Sequence, residues 1–428
     1  MDKQHLPDRF YQTTFMIGLG FFTMGLMDPL YDNYVPVFLN QYLQSRALIG
    51  TVMTLDNIMA LMLIPLVTAL SDKTRTPIGR RMPYILATLP MSAVVFVFLP
   101  RAGMTSLLML ISAIVLLNLF RQAARGPVVA LMPDTIPGEF RSEANGVINT
   151  MAGIAAIVGT VALAPMMDLR LVLPIIGDTS RQLPFIIAAV LIVVATALLF
   201  SLVKERNTAV NPPGREPLLR SLKLVFSGND KSAMFILLSL FLWFSAYWGM
   251  RPFMTLYTIE HLGLSEGLAG FSTGMVAIAY AVFAIPSGII AHRIGRKRTI
   301  RISLSALAAL SLLMLTHGAW TLSLGASQTF AVGTFWALLF GFGMFWGSVI
   351  TNSFPMLWHK ASYDNLGMYT GLYYLFSQTS AIVAPPISGI IVDLLGLRAI
   401  FGFAAVCMLG AFIVMNNVQG GETERAAD

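Results

Sequence analysis

Apolar residues run along this chain in long blocks separated by short polar stretches. A helix needs about 20 mostly apolar residues to cross the hydrocarbon core of a bilayer. Twelve blocks suit that length: 14–40, 46–70, 83–101, 105–131, 143–167 and 184–203, then 232–258, 266–291, 300–317, 327–357, 367–392 and 396–416. Backbone amides must be satisfied within lipid, and the blocks are too long and continuous for barrel strands, so helix is the predicted form. The expected fold is an all-α membrane protein with twelve transmembrane helices.

Composition makes the bilayer the solvent. Of 428 residues, 56% are hydrophobic and 11% charged, with a mean hydropathy of +0.73. Soluble domains carry about 25% charged residues. A soluble chain this apolar would lack the polar residues to cover its surface, which excludes a cytosolic enzyme, a secreted disulfide scaffold and a disordered protein. The single cysteine, Cys407, excludes an intrachain disulfide and a multi-cysteine metal site. The first apolar run is too long for a signal-peptide core and no small-residue cleavage site follows it, so it is expected to be a retained span.

Lys and Arg set the expected orientation. With the N-terminus inside, the cytoplasmic segments hold 20 of the 28 basic residues, and the outer loops hold Arg46, Arg101, Arg170, Arg181 and Arg398. The net charge of +7 then reflects topology rather than a nucleic-acid partner. Both termini are expected in the cytoplasm, in the inner or plasma membrane of the cell. The polar stretch 204–231, with its Pro-Pro-Gly, reads as a cytoplasmic linker. It separates two six-helix halves, 1–203 and 232–416, and 417–428 forms a cytoplasmic tail. Gly79 and Gly295 are 216 residues apart; Gly146 and Gly367, and Pro165 and Pro386, are each 221 apart. The near-constant offset predicts two pseudo-symmetric halves, an architecture of secondary transporters with the substrate site near the bilayer midplane. Gly146, Gly153 and Gly159 crowd span 5 and predict close helix packing there.

The loop after span 2 carries Asp72, Lys73, Gly79, Arg80 and Arg81; the loop after span 8 carries Arg293, Gly295, Arg296 and Lys297, with His292 where the acid would be. This pattern resembles the hallmark loop of the major facilitator superfamily. The strings "PLVTALSDKTRTPIGRRMPYIL" and "MPDTIPGEFRSEANG" resemble its sucrose–proton and glycoside–cation symporter branch. The resemblance covers essentially the whole chain and implies the major facilitator fold and alternating access. A carboxylate at Asp72 can pair with an Arg or meet a helix N-terminus. Gly79 permits a tight turn, and Arg80 and Arg81 are expected to anchor the loop at the anionic inner surface. Such contacts are expected to latch the halves in the outward-open state. Asp134 and Arg141, before span 5, are expected to form a second charge pair in the same layer.

Ionisable residues inside a membrane are costly and tend to be functional. Asp28 and Asp32 share one face of span 1, about 6 Å apart, and Asp56 lies beside Asn57 on span 2. At about 1.5 Å per residue, Asp28 and Asp56 fall at similar central depths, with Asp32 one turn further out. Burial and like-charge repulsion favour the protonated carboxyl, so Asp56, Asp28 and Asp32 are the candidate proton-coupling residues. The competing reading is static pairing with Arg121 or Arg125 on span 4, or Arg251 on span 7. Sodium-coupled glycoside carriers typically show acids in the second half of span 2, whereas "MALMLIPLVTAL" has none. The resemblance therefore favours the proton over sodium as coupling ion; no metal or organic cofactor is expected.

Polar and aromatic side chains near span centres are candidates for the substrate site. They are Asn118 and Gln122 on span 4, Asn149 on span 5, Tyr247 and Trp248 on span 7, Trp346 and Asn352 on span 10, and Tyr373, Tyr374 and Gln378 on span 11. For any one aromatic, packing or a lipid-belt role is the alternative. Arg121 or Arg125 would instead bind an anionic substrate. The string "GLSEG" at 263–267 matches a nucleophile elbow, but no strand precedes it. No zinc-ligand spacing, phosphate-binding glycine loop or nucleic-acid motif appears. The expectation is a monomeric, non-enzymatic, proton-coupled symporter of a sugar or glycoside. The alternatives are a proton-driven exporter of drugs or other amphiphiles, and a non-transporting receptor or lipid-handling protein.

Asp32 and Arg251 lie 219 residues apart, within the range of the repeat offset, which predicts a gating pair on spans 1 and 7. Asp32→Arg or Arg251→Asp alone is expected to abolish transport in proteoliposomes, and the two combined to restore it.

Overall fold

The structure, a computed structural model, describes residues 10–137, 140–173, 177–203, 205, 231–359 and 366–419. Among these residues twelve helices are long and apolar enough to cross a membrane. Spans 1–6 are Phe10–Leu39, Arg46–Lys73, Met82–Thr105, Leu107–Thr135, Glu143–Asp168 and Leu183–Leu202. Spans 7–12 are Ser232–Leu262, Glu266–Ile294, Arg296–Ser323, Gln328–Trp358, Gly367–Leu395 and Ala399–Asn416. The all-α class and the twelve spans agree with the hydrophobic pattern. Several helices overrun their apolar blocks, because capping groups set where a helix stops. The Ser106 and Ser327 hydroxyls accept from the amides of Met109 and Phe330 at the starts of spans 4 and 10, and Gly263 ends span 7 in the left-handed region at φ 64°. Most of the predicted linker and tail lies outside the described residues.

The chain divides into two compact units. Unit 1 falls within Met1–Tyr42, Leu55–Pro212 and Ser265–Phe271; unit 2 falls within Leu43–Thr54, Pro213–Leu264 and Ser272–Asp428. In unit 1, span 1 packs on spans 5 and 6, and span 4 on spans 2 and 3. Tyr31, Tyr34, Phe38, Phe96 and Phe185 fill its core. In unit 2, span 7 packs on spans 11 and 12, and span 9 on spans 10 and 12, around Trp243, Tyr257, Phe335 and Phe401.

The unit boundary cuts spans 2 and 8. Span 2 is interrupted at Thr54, and its first segment, Arg46–Met53, packs on span 11 within unit 2. Asp393 holds that segment: its carboxylate accepts from the Ser45 hydroxyl at 2.6 Å and from the amides of Arg46 and Ala47 at 2.6 and 3.1 Å. Unit 1 has a counterpart. Asp168, ending span 5, accepts from the Ser265 hydroxyl at 2.5 Å and the Gly267 amide at 3.0 Å, at the start of span 8. A carboxylate there satisfies amides that the helix leaves open and meets the positive end of its dipole. "SRALIG" (45–50) and "SEGLAG" (265–270) are thus one motif at an offset of 220, which also relates Pro165 to Pro385. Gly50 lies against the Pro385 carbonyl and Gly270 against the Tyr34 hydroxyl, so a methyl at either position would collide. The "GLSEG" string has a structural cause: Gly263 ends one helix and Ser265 begins the next.

Span 5 runs as an α-helix over Arg141–Ile157, widens to a π-helix over Val158–Leu163 and tightens to a 3-10 turn over Ala164–Asp168. Of its three predicted packing glycines, only Gly159 makes a close approach. A Cβ there would come within 2.7 Å of the Pro29 ring on span 1, whereas Gly146 and Gly153 face open space.

The loop after span 2 folds over a buried charge cluster in unit 1. Arg81 pairs with Asp72 and, at 2.9 Å, with Asp134; Arg80 pairs with Asp134 at 2.6 Å. Glu205 accepts from the Arg81 and Met82 amides at 2.9 and 3.2 Å, capping span 3, and lies 3.8 Å from Arg80. This corrects two expectations. Arg80 and Arg81 are 5% and 3% exposed, so they are internal counter-ions of three carboxylates rather than surface anchors. Arg141 does not pair with Asp134; it donates to the carbonyls of Pro133 and Ile136 at 2.8 and 3.2 Å, where span 4 ends and its carbonyls need partners.

Glu205→Gln weakens this cap and is expected to cost about 1–3 kcal/mol, read as a lower melting temperature of the purified protein. Gly79→Ala is expected to cost more, because it meets both a φ of 111° and the Glu205 carboxylate. Glu205→Ala removes the cap as well as the clash, so in a double-mutant cycle its coupling with Gly79→Ala should equal only the steric part of the Gly79→Ala loss.

Candidate coupling and substrate site

Spans 1, 2 and 4 bring a set of polar side chains together in the interior of unit 1. Arg121 is the centre, with its side chain 4% exposed. Its Nη1 donates to Asp28 at 2.9 Å, and its Nη2 donates to Asp56 at 3.3 Å and to the Asn118 carbonyl oxygen at 2.9 Å. The Asn118 amide donates to the Tyr31 hydroxyl at 2.9 Å, and the guanidinium sits 4.7 Å from the Tyr31 ring centroid. Asp56 also accepts from the side-chain and backbone nitrogens of Asn57 at 2.7 and 2.6 Å. The Asp28 and Asp56 side chains are 35% and 17% exposed, so both acids are more open than the cation they share. Asp32 acts electrostatically on Arg121, and Arg125 on Asp56. In direct contact, the group holds two carboxylates and one guanidinium.

The local sequence explains the placement. Asp28 and Tyr31 are three residues apart on span 1, and Asn118 and Arg121 are three apart on span 4, so each pair projects from one helix face. Asp28 and Asp56, expected at similar depths, contact one shared arginine. Asn118 and Arg121, expected to touch substrate, spend most of their hydrogen bonds inside the cluster. Two atoms keep unmet capacity: Arg121 Nε and Gln122 Oε1 are buried with no hydrogen-bond partner. The Tyr31 contribution is missed from sequence, although its spacing from Asp28 is a usable signal.

Unit 2 carries aromatic rings instead of charge. Tyr247 of span 7 stacks on Trp346 of span 10, with centroids 4.4 Å apart and planes at 4°. Phe244 meets Trp346 and Tyr373 edge-on at 5.6 and 6.0 Å, and Phe354 stacks on Tyr373 at 3.7 Å. The Tyr373 hydroxyl is 3.0 Å from the Ser353 hydroxyl. Arg251 lies over the rings of Trp248 and Tyr247, 5.1 and 5.8 Å from their centroids. Phe244 and Phe354 join the predicted aromatics and were not singled out in the sequence, because phenylalanine alone carries no polar signal. The other candidates scatter. Asn352 is buried and donates to the Ser348 carbonyl at 2.9 Å. Asn149, Arg125 and Tyr374 are exposed, and Gln378 is half-buried. Among the described residues no group of three or more His, Cys, Asp or Glu side chains could hold a metal ion.

Comparison with known proteins follows the same lines. The family profile described as Major Facilitator Superfamily matches residues 14–356 and 252–417. An "MFS-type transporter" of Gibberella moniliformis is 30% identical over 187 residues, 42% of this chain and 41% of that protein. The inner membrane transport protein YajR of Escherichia coli is 39% identical over 75 residues, 17% of this chain and 16% of that protein. Both alignments thus span less than half of the relatives' lengths. Among solved structures, a bacterial homolog of the human lysosomal transporter Spinster superposes with a TM-score of 0.73 at 13% identity, covering 99% of this chain and 100% of the other. The nucleoside transporter NupG superposes with a TM-score of 0.70 at 12% identity, covering 95% and 99%. Those identities speak for the fold alone. With the family profile spanning most of the chain, this protein belongs to the Major Facilitator Superfamily.

Proposed function

We propose that the protein is a proton-coupled secondary transporter that works by alternating access and carries a sugar or glycoside in symport with the proton. The observation that carries the coupling is the sharing of Arg121 by Asp28 and Asp56. Two ionised carboxylates against one guanidinium leave the group with one excess negative charge, and uptake of one proton neutralises it. A group that is neutral when loaded crosses a low-dielectric interior more cheaply than a charged one. Asp56 and Asp28 are the proton carriers in this reading. The exposure of Asp28 gives the proton a route, and Arg121 sets the competition between the acids.

The aromatic faces in unit 2 support a ring-shaped substrate. The half-buried Tyr247, backed by the buried Trp346, and the exposed Tyr374 offer ring surface, and the half-buried Gln378 adds a polar group. A sugar ring stacks on such surfaces, as would the base of a nucleoside, the substrate class named for NupG. The second reading is proton-driven export of amphiphiles. The edge-on and stacked contacts of Phe244 and Phe354 favour it, since these rings offer no hydrogen bonds.

Thermal stabilisation of the purified protein, screened over sugars, glycosides, nucleosides and lipophilic cations at pH 5.5 and 7.5, separates the classes. A sugar or glycoside is expected to stabilise, more strongly at the lower pH. Stabilisation by lipophilic cations alone, strongest at the higher pH, would overturn symport in favour of exchange. In proteoliposomes, Asp28→Asn/Asp56→Asn is expected to abolish accumulation driven by a pH gradient; accumulation at the wild-type rate would refute the coupling. Arg121→Gln strips both acids of their shared partner and is expected to cost about 3–5 kcal/mol of stability.

A further inference from the structure

A cavity at the start of span 9 serves none of the roles above. Arg298, Arg301, Ile302 and Ser305 line it from span 9 and Phe412 from span 12, around a volume of about 210 Å³. Separations of three, four and seven residues put the first four on one helix face. Two guanidiniums one turn apart repel each other, and among the described residues neither has a carboxylate partner. Arg301 Nε is buried with no hydrogen-bond partner, and its guanidinium carbon lies 5.3 Å from the Phe412 ring centroid. Buried donors without acceptors are costly, and an arginine has five to satisfy.

The first half does not copy this arrangement. At the 216-residue offset that relates Gly79 to Gly295, Arg298 and Arg301 correspond to Met82 and Ile85. The adjoining Lys297 is occupied, donating to the carbonyls of Val418 and Asn416 at 2.5 and 3.4 Å. The cavity therefore has cationic walls, one hydroxyl and no anion, and an apolar side: Ile302 is 48% exposed next to it. It lies where the basic loop gives way to the apolar body of span 9. A phosphate fits the paired guanidiniums, and a phosphate continuing into acyl chains also fits the apolar side.

We propose that this cavity binds the phosphate of an anionic phospholipid headgroup. Arg298 and Arg301 hold the phosphate oxygens, the Ser305 hydroxyl, which donates to the Ile302 carbonyl at 2.8 Å in this structure, rotates to donate to one of them, and Ile302 and Phe412 lie along the first acyl carbons. Basic pockets between helices are a recurrent way of holding such headgroups on the cytoplasmic leaflet, the side the positive-inside count gives this loop. Bound lipid bridges spans 9 and 12 and stabilises unit 2.

The test uses full-length protein in phosphatidylcholine nanodiscs, with lipid retention read by native mass spectrometry and stability by thermal unfolding. Doping with phosphatidylglycerol is expected to give saturable retention and a rise in melting temperature. Arg298→Gln/Arg301→Gln should weaken apparent lipid affinity about tenfold or more, equivalent to at least ~1.4 kcal/mol, and Arg298→Gln alone should weaken it less. Arg293→Gln/Arg296→Gln removes two charges from the same loop and should leave retention unchanged. Equal loss in that control would overturn the cavity in favour of diffuse attraction. Equal stabilisation by inorganic phosphate or glycerol phosphate, without preference for phosphatidylglycerol over phosphatidylcholine, would overturn the lipid source. No difference between the wild type and either arginine variant would overturn the site.

Discussion

One guanidinium in the interior of unit 1 answers for two carboxylates on different helices. Lipid offers no water to dissolve these charges, so each must find a partner within the protein. Arg121 meets that demand for Asp28, Asp56 and the Asn118 carbonyl oxygen together, and ties spans 1, 2 and 4 to one another. The bonds are unequal, 2.9 Å to Asp28 and 3.3 Å to Asp56, and the acids are more exposed than the cation. A shared counter-ion of this kind makes the protonation of either acid a matter for both. It can thus serve as a structural tie and still respond to a proton.

The two units divide the chemistry. The intramembrane acids on spans 1 and 2 and the buried loop cluster all belong to unit 1, whereas unit 2 presents stacked rings with Arg251 laid over two of them. The duplicated architecture therefore does not imply duplicated roles. At the offset of 216, the Arg80 and Arg81 pair becomes Arg296 and Lys297, and the surroundings change with it. Arg80 and Arg81 are bound by carboxylates, while Lys297 is bound by helix-end carbonyls. Helix placement follows from burial and glycine contacts, whereas each charge depends on a few partners that single substitutions can replace.

That difference also decides what the sequence reveals. The spans are legible because hydrocarbon forces backbone groups to pair within each helix. The common depth of Asp28 and Asp56 is legible because rise per residue is fixed. Arg121 is recognisable as one of three possible partners but is not singled out, since rotation of span 4 is set by packing. Glu205 is illegible: it caps Arg81 from 124 residues away, in a stretch that reads as linker. The Asp168 and Asp393 clasps are missed for the same reason, although "SRALIG" and "SEGLAG" carry their other halves openly. The candidate substrate residues were found by chemistry alone, and chemistry does not distinguish Asn149, which is exposed, from Asn118, which is enclosed.

The three carboxylates that cap helix starts differ in how firmly they hold. Glu205 caps span 3 with a side chain 0% exposed, beside two buried arginines. Breaking that cap strands charges where water does not reach, at a cost of several kcal/mol. The bonds of Asp393 to Ser45 and of Asp168 to Ser265 are exposed, so water can take over each donor and acceptor as the clasp opens. Bonds to a charged group contribute about 1.5–3 kcal/mol each, and less where water competes, within reach of ligand-binding energies. For the alternating access proposed above, contacts of the second kind suit places where helix segments part and contacts of the first kind suit a unit that moves as one body. Span 2 has both: it is clasped at Ser45, broken at Thr54, and locked at its other end by the bonds Arg81 makes to Asp72 and to the Thr68 carbonyl. The break at Thr54 is therefore where the chain passes from a releasable contact to a fixed one.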